Sequence, residues 1–204
     1  MYVIGISGVS GSGKTTVGEI LERTLPNAKR IDGDVYQYES FNVYRSDAER
    51  LFGNAFLKPD NSFSFTCVIA GGEKGYEYLD IICPYINRSI FYEKEIAATE
   101  GCDFFIVEWQ ALTILEFINT CDKQIVMVSD FAKRSDMLSK RIVHGCTPEF
   151  AKKRADFFAF AFEHLNPKTV RVFNDYDILN INKSLKIIVN DIYMEISRSE
   201  KNVE

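Results

Sequence analysis

The chain has 204 residues, of which 46% are hydrophobic and 26% are charged, a composition that fits one globular domain with a sizeable core. Its formal net charge of -5 argues against a protein that binds nucleic acid or a membrane surface through overall charge. Five widely spaced cysteines without a C-x-x-C pair argue against a disulfide framework or structural zinc site and favour the reduced thiols of a cytoplasmic protein.

The first predicted element is a buried strand from Tyr2 to Ser7, which lacks the basic and cleavable flanks of a signal peptide. A glycine-rich segment follows, and apolar residues at helical spacing from Val17 to Leu25 then predict an amphipathic helix. A short second strand, Lys29 to Ile31, leads into Asp32-Gly33-Asp34. The chain is therefore predicted to open with a strand, a glycine-rich loop, a helix and a second strand.

The middle of the chain is predicted to be helical over Ser46 to Leu57 and Tyr76 to Thr99, with an interruption near Pro84. Two apolar strands follow, Cys102 to Val107 and Gln124 to Val128, separated by a predicted helix over Leu112 to Asn119. No apolar run approaches the about 20 residues that a membrane helix needs.

The last third of the chain predicts helices over Lys133 to Val143 and Pro148 to Leu165, a final strand over Asp177 to Ile181, and a closing helix from Ser184 to about Arg198. Strands that alternate with helices predict a three-layer α/β/α fold around a central parallel sheet. We expect a single domain over residues 1–204, in which a core (about 1–35, 101–130 and 168–204) carries an inserted helical subdomain (about 36–100) and a helical lid (about 131–167).

The stretch GVSGSGKTT meets the phosphate-loop pattern G-x-x-x-x-G-K-[ST] in full, between a predicted strand and a predicted helix. Glycines let backbone N–H groups approach phosphate oxygens, and the start of the helix adds partial positive charge. In this pattern Lys14 reaches the β- and γ-phosphates, and the Thr15 hydroxyl is a ligand of Mg²⁺. The predicted nucleotide-binding residues are Gly8, Val9, Ser10, Gly11, Ser12, Gly13, Lys14, Thr15 and Thr16.

Two missing motifs narrow the class of phosphate-loop protein. A GTPase would need the guanine-reading N-K-x-D, whereas the nearest string, Asn182-Lys183-Ser184-Leu185, lacks the aspartate. A transporter ATPase would need L-S-G-G-Q, which does not occur. The sequence therefore favours a small-molecule kinase that uses ATP and Mg²⁺.

Such a kinase needs a carboxylate near the acceptor hydroxyl, and Asp32 and Asp34 follow the second strand at the sheet edge that faces the ligand. We predict that both bind the acceptor and that Asp34 is the catalytic carboxylate. Glu108 follows the next strand and either holds the substrate or a metal-bound water or caps the following turn. Trp109 either lines the acceptor pocket or packs in the core.

Between Lys133 and Arg154 the sequence has seven Lys and Arg residues against two acidic ones. This charge indicates either a solvated pair of helices or a lid that closes over the phosphates and excludes water. For the lid we predict that Arg141 acts in catalysis and that Arg154 binds the substrate. His144 is expected in the lid turn, His164 in a structural role, and the phenylalanines at positions 157, 158, 160 and 162 in the core.

The order of these motifs resembles the dephospho-coenzyme A kinases over most of the chain. Ile31 to Val35 is similar to the family's I-D-x-D-x segment, Thr147 to Ala155 resembles the start of its lid helix, and Asp177 to Asn180 is similar to its terminal D-x-x-I-x-N. Leu51 to Phe65 also resembles a helix-turn stretch of that family. The resemblance implies transfer of the ATP γ-phosphate to the ribose 3′-hydroxyl of dephospho-CoA, the last step of coenzyme A biosynthesis, with Asp34 as the catalytic carboxylate.

Three positions depart from the family pattern. Cys83 replaces the histidine of H-P-x-I, Trp109 to Leu112 replaces P-L-L-[FV]-E, and Phe158 stands where glutamine is usual. All three fall in the acceptor-binding half, so two alternatives stay open: a nucleoside kinase of the uridine kinase type, and a nucleotide-binding regulator without transfer activity. The sequence does not indicate an oligomeric state.

Overall fold

Strands and helices alternate around one sheet in the structure, a computed structural model that describes residues 1–58, 63–140, 148–163, 165–166 and 169–201. Its strands are β1 (Tyr2–Gly8), β2 (Ala28–Asp32), β3 (Phe104–Glu108), β4 (Lys123–Ser129) and β5 (Val170–Asn174). Its α-helices are α1 (Lys14–Thr24), α2 (Gly33–Val43), α3 (Arg45–Phe52), α4 (Thr66–Ala70), α5 (Glu73–Thr99), α6 (Phe131–Lys140), α7 (Pro148–Phe157) and α8 (Ile178–Lys201).

The five strands form one sheet in the order β2-β3-β1-β4-β5, and all neighbouring pairs are parallel. The register places Ile6 beside Glu108 and Glu108 beside Asp32. Since the strands are parallel, their carboxyl ends meet at one edge of the sheet. That edge therefore carries the end of β1, Asp32 and Glu108 next to one another.

Each face of the sheet is covered by its own hydrophobic core, which confirms the predicted three-layer α/β/α fold. Alternating side chains of β1 supply both cores, because Val3 points to one face and Ile4 to the other. The first core joins the sheet to α1 and α8 through residues such as Val17, Leu21, Leu185 and Ile188. The second core joins the sheet to helices α2–α5 and to Phe157, Phe158 and Ala161, at the end of α7 and just after it.

The second core is dominated by aromatic rings. We call Phe41, Phe63, Phe65, Tyr78 and Phe158 the aromatic cluster. Its rings stack on one another, and the Phe65–Phe158 pair (ring centroids 6.0 Å apart) connects the helical segment to the segment that follows α7. Phe157 also packs in the core and stacks on Tyr76 at 4.6 Å. Phe157 and Phe158 therefore pack in the core, and Phe160 and Phe162 are partly buried against it, as predicted.

Helix α5 runs without interruption through Pro84, so the predicted break does not occur. Pro84 lies on the exposed face of the helix, where water can satisfy the carbonyl that loses its N–H partner. The segment after β3 also differs from the prediction, because two short 3₁₀ helices, Leu112–Ile114 and Glu116–Thr120, replace the expected α-helix.

The last strand was predicted in the wrong place. Strand β5 covers Val170–Asn174, and Asp177 instead begins the closing helix, where its carboxylate accepts a hydrogen bond from the backbone N–H of Leu179 at 2.9 Å. An aspartate that caps a helix start explains why the apolar residues after it belong to α8. Within the residues that the structure describes, no helix is long and apolar enough to span a membrane.

Candidate active site

The phosphate loop occupies the turn between β1 and α1 at the carboxyl edge of the sheet. Gly8, Gly11 and Gly13 have φ angles of 147°, 78° and 96°, which residues other than glycine rarely adopt. A Cβ at Gly13 would lie 2.5 Å from Asn174 Nδ2, so the loop also has no room for a side chain there. Lys14 opens α1, and its ammonium donates to the Val9 carbonyl at 3.5 Å.

The segment after β5 holds this loop from the other side. Asn174 donates through Nδ2 to the Ser12 carbonyl at 2.8 Å, and the Tyr176 hydroxyl donates to the Gly11 carbonyl at 3.0 Å. The Tyr176 backbone N–H in turn donates to Asn174 Oδ1 at 2.7 Å. Together with residues 13–16, these groups line a cavity of about 170 Å³ beside the loop. Sequence reasoning missed both residues, although a polar Asn-Asp-Tyr run after an apolar strand was a usable signal.

The Asp-Gly-Asp segment divides its two carboxylates between two tasks. Asp32 caps α2, since its Oδ1 accepts the backbone N–H of Asp34 at 2.9 Å, and burial raises its pKa. Asp34 lies in the first turn of α2, close enough to Lys14 to favour the charged form of that ammonium. The structure thus leaves Asp34 as the carboxylate not used as a helix cap.

Trp109 sits under the start of α2 and is 1% exposed. Its indole Nε1 donates to Gln37 Oε1 at 3.1 Å, and a Cβ at Gly33 would come within 2.6 Å of the Trp109 Cβ. The side chain therefore packs in the core, and it fixes the position of α2 and so of Asp34.

Glu108, at the end of β3, is 1% exposed and lies beneath the start of α1. One oxygen accepts a hydrogen bond from Arg30, which also pairs with Glu22 at 3.0 Å. The other oxygen, Oε2, is buried and makes no hydrogen bond of good geometry within the described residues, although the Thr15 hydroxyl lies close enough to interact with the carboxylate. Burial, followed by the charge of Asp32, raises the pKa of Glu108, whereas Thr15 and nearby cations lower it. Glu108 therefore lies beside Thr15, and among the described residues its hydrogen bond goes to Arg30.

Helix α7 brings one arginine to this edge of the sheet. Arg154 donates through Nε to Gln110 Oε1 at 3.2 Å and lies near enough to Lys14 to lower its pKa. Arg134, at the start of α6, is 7% exposed and lies over the Phe131 ring at 5.3 Å. Arg141 and His144 lie outside the described residues, as does His164.

Five of the predicted residues thus converge on one place. Burial is the largest influence on the pKa of Lys14 and lowers it. Arg154 lowers this pKa further, whereas Asp34 raises it and Glu108 and Asp32 raise it more weakly. Two neighbouring cations are suited to hold a phosphate, and a carboxylate beside them can receive the proton of an acceptor hydroxyl. The buried oxygen of Glu108 beside the Thr15 hydroxyl fits a hydrated Mg²⁺, which keeps several waters and takes few protein ligands.

A parallel sheet of this order with a phosphate loop after its central strand defines the fold of the P-loop kinases. The TT1252 protein of Thermus thermophilus has this fold, with a TM-score of 0.68, 18% identity, and coverage of 93% of this chain and 97% of that chain. The dephospho-CoA kinase of Campylobacter jejuni matches with a TM-score of 0.56, 18% identity, and coverage of 93% and 96%. The shikimate kinase of Bacteroides thetaiotaomicron matches with a TM-score of 0.53, 18% identity, and coverage of 94% and 98%. No protein-family model matches the chain, and no curated protein matches its sequence.

Proposed function

We propose that the chain is an ATP-dependent small-molecule kinase. The observation that carries this proposal is the convergence of Lys14, Asp34 and Arg154 beside a complete phosphate loop. The loop supplies backbone N–H groups for the phosphates, and the two cations lie where negative charge would develop on the transferred group. The residues at 36–100 would form the acceptor subdomain, and those at 131–167 the lid.

In the proposed reaction the acceptor hydroxyl oxygen attacks the γ-phosphorus of ATP. The bond to the β–γ bridging oxygen breaks, ADP leaves, and the hydroxyl proton passes to the Asp34 carboxylate. Lys14 and Arg154 stabilise the charge on the transferred phosphoryl oxygens. Mg²⁺, which the Thr15 hydroxyl and Glu108 through water would hold, neutralises phosphate charge when bound.

We propose dephospho-CoA as the acceptor, with its ribose 3′-hydroxyl as the attacking group. The motif order of the chain and its structural likeness to the dephospho-CoA kinase of Campylobacter jejuni support this choice. Two of the departures from that family's pattern are side chains that pack within the fold. Trp109 packs under α2, and burial raises the pKa of the Cys83 thiol to about 12, so Cys83 stays a neutral, partly buried side chain of α5.

An ADP-release assay across dephospho-CoA, uridine, cytidine and shikimate tests the acceptor, with mass-spectrometric identification of each product. We expect turnover with dephospho-CoA and one added phosphate on its ribose. Turnover with a nucleoside but not with dephospho-CoA would identify a nucleoside kinase. Calorimetric binding of Mg-ATP without transfer to any of the four acceptors would favour the nucleotide-binding regulator.

Asp34→Asn tests the carboxylate. We expect kcat to fall by roughly 10²–10⁴-fold, the usual contribution of a general base, with little change in Mg-ATP affinity. Asp32→Ala is the matched comparison, because its loss removes a helix cap and should lower stability by about 1 kcal/mol. Normal turnover in Asp34→Asn would remove this residue from the mechanism.

A further inference from the structure

Gln110 connects three parts of the site that are distant in sequence. It follows β3, is 3% exposed, and accepts a hydrogen bond from the Ser7 hydroxyl through its backbone carbonyl at 3.0 Å. Ser7 immediately precedes Gly8, the first residue of the phosphate loop. The Gln110 side-chain oxygen accepts the Nε–H of Arg154 at 3.2 Å. One residue therefore ties the end of β3 and the start of the loop to helix α7.

The contact with Gln110 uses only one part of the Arg154 guanidinium. A guanidinium has five N–H donors, and the bond to Gln110 uses the one on Nε. The two terminal NH₂ groups carry the other four N–H donors, which can make paired bonds to phosphate oxygens. Gln110 thus holds the guanidinium by its side and leaves its anion-binding end available.

The other half of the Gln110 amide has no structural use. Its Nε2 is buried and has no hydrogen-bond partner in the described part of the chain. The amide oxygen faces Arg154, because an arginine can only donate a hydrogen bond. A buried donor without a partner costs stability, so a side chain such as leucine would suit the core better. The glutamine is accordingly placed here for what its oxygen holds.

We propose that Gln110 is a positioning residue for phosphoryl transfer, which holds Arg154 beside Lys14 so that its terminal N–H groups face the transferred phosphate. This inference rests on the proposed kinase function. In this arrangement Gln110 acts only through Arg154. Removing Gln110 then matters only while the arginine is present, which makes the proposal testable as a coupling between two residues.

The test is a double-mutant cycle on kcat with Gln110→Leu, Arg154→Ala and the double variant. We expect Gln110→Leu to lower kcat about tenfold, Arg154→Ala to lower it about 100-fold or more, and the double variant to equal Arg154→Ala alone. Gln110→Glu keeps an oxygen that accepts the Nε–H, so it should recover part of the loss. Equal losses from Gln110→Leu with and without Arg154 would overturn the proposal.

Gln124→Leu is the matched control for removal of a hydrogen-bonded glutamine. Gln124 donates to the Ile118 carbonyl at 3.0 Å and accepts from Thr169 at 3.2 Å, at the start of β4 and away from the phosphate loop. Its loss should lower the melting temperature without changing kcat. Gln110→Leu should instead lower kcat without lowering the melting temperature, since it removes a buried donor that has no partner among the described residues. A kcat loss in Gln110→Leu that follows its melting temperature would contradict a positioning role.

A separate measurement distinguishes failure of this proposal from failure of the kinase function. If the wild type transfers no phosphate to any acceptor, the kinase proposal fails, and the same cycle is then measured as calorimetric affinity for Mg-ATP. Coupling between Gln110 and Arg154 in that affinity would support the positioning role without transfer. Additive losses in affinity would overturn it.

Discussion

The phosphate loop and the aromatic cluster are the two regions on which the candidate site depends, and they are held by different forces. The loop is positioned by backbone hydrogen bonds, by glycines with positive φ, and by Asn174 and Tyr176. The aromatic cluster is positioned by stacked rings between helices, with Tyr78 fully buried among them. Changes in the loop should therefore alter nucleotide chemistry, whereas changes in the cluster should alter stability.

Within the comparison of these two regions, the largest expected effect comes from Lys14→Ala in the phosphate loop. Loss of the cation should lower kcat by roughly 10²–10³-fold, as expected for one group that stabilises transition-state charge. Stability should not fall, because burial already disfavours the charged form of Lys14. Steady-state kinetics and thermal unfolding measure the two effects. Lys153→Ala, an exposed cation of α7, is the control and should leave both unchanged. A large loss of stability in Lys14→Ala would contradict the contrast between the two regions.

Glu108→Gln should reveal how the buried carboxylate affects the free energy of unfolding of the protein without bound nucleotide. The pKa of Glu108 is raised in the folded state, so the folded protein binds its proton more tightly than the unfolded chain does. Stability from this group is thus full below about pH 4.3, the pKa of an unfolded glutamate, and is lost as pH rises through the folded pKa. The stability of Glu108→Gln relative to the wild type should accordingly increase as the pH rises from 4.5 to 8.

Thermal unfolding of both proteins from pH 4.5 to pH 8 measures this difference. Glu116→Gln, a change on an exposed residue of the segment after β3, is the control and should show no such trend. A stability difference that shrinks as pH rises would mean that the ionised Glu108 stabilises the fold.

Asn174→Ala separates support of the loop from chemistry in the loop. It removes the bond to the Ser12 carbonyl and the acceptor of the Tyr176 backbone N–H, so the loop should lose its fixed shape. We expect the KM for ATP to rise about tenfold, equivalent to about 1.4 kcal/mol, with a smaller change in kcat. Asn190→Ala, on the exposed face of α8, should change neither. An effect on the KM for the acceptor alone would place Asn174 in another part of the site.

The sequence predicted the features that depend on local patterns, and it did not predict the contacts between distant residues. The strand, loop and first helix were predictable because glycine spacing and apolar periodicity are local patterns. The contact of Tyr176 with Gly11 joins residues 165 positions apart, and that of Arg154 with Gln110 joins residues 44 apart, so no local pattern contains them. The final strand was misplaced because the apolar residues after Asp177 suit a strand as well as the first turn of a helix.

The smallest expected effect is a stability change of opposite sign at two tyrosines of α5, the buried Tyr78 of the aromatic cluster and the 40% exposed Tyr76. The Tyr78 hydroxyl is buried without a hydrogen-bond partner in the described residues, whereas the Tyr76 hydroxyl donates to the Phe157 carbonyl at 3.2 Å. Tyr78→Phe should therefore stabilise the protein by about 1 kcal/mol, and Tyr76→Phe should destabilise it by a similar or smaller amount.

Both substitutions remove one hydroxyl from the same helix, α5, so each is the control for the other in denaturant unfolding. Because the cluster is held by ring packing and not by polar bonds, kcat and the KM for ATP should stay unchanged in both variants. If Tyr78→Phe destabilised the protein, its hydroxyl would have a partner, and the aromatic cluster would depend on a polar contact as the phosphate loop does. Opposite signs without a kinetic change would instead show that the cluster carries stability and the loop carries nucleotide binding.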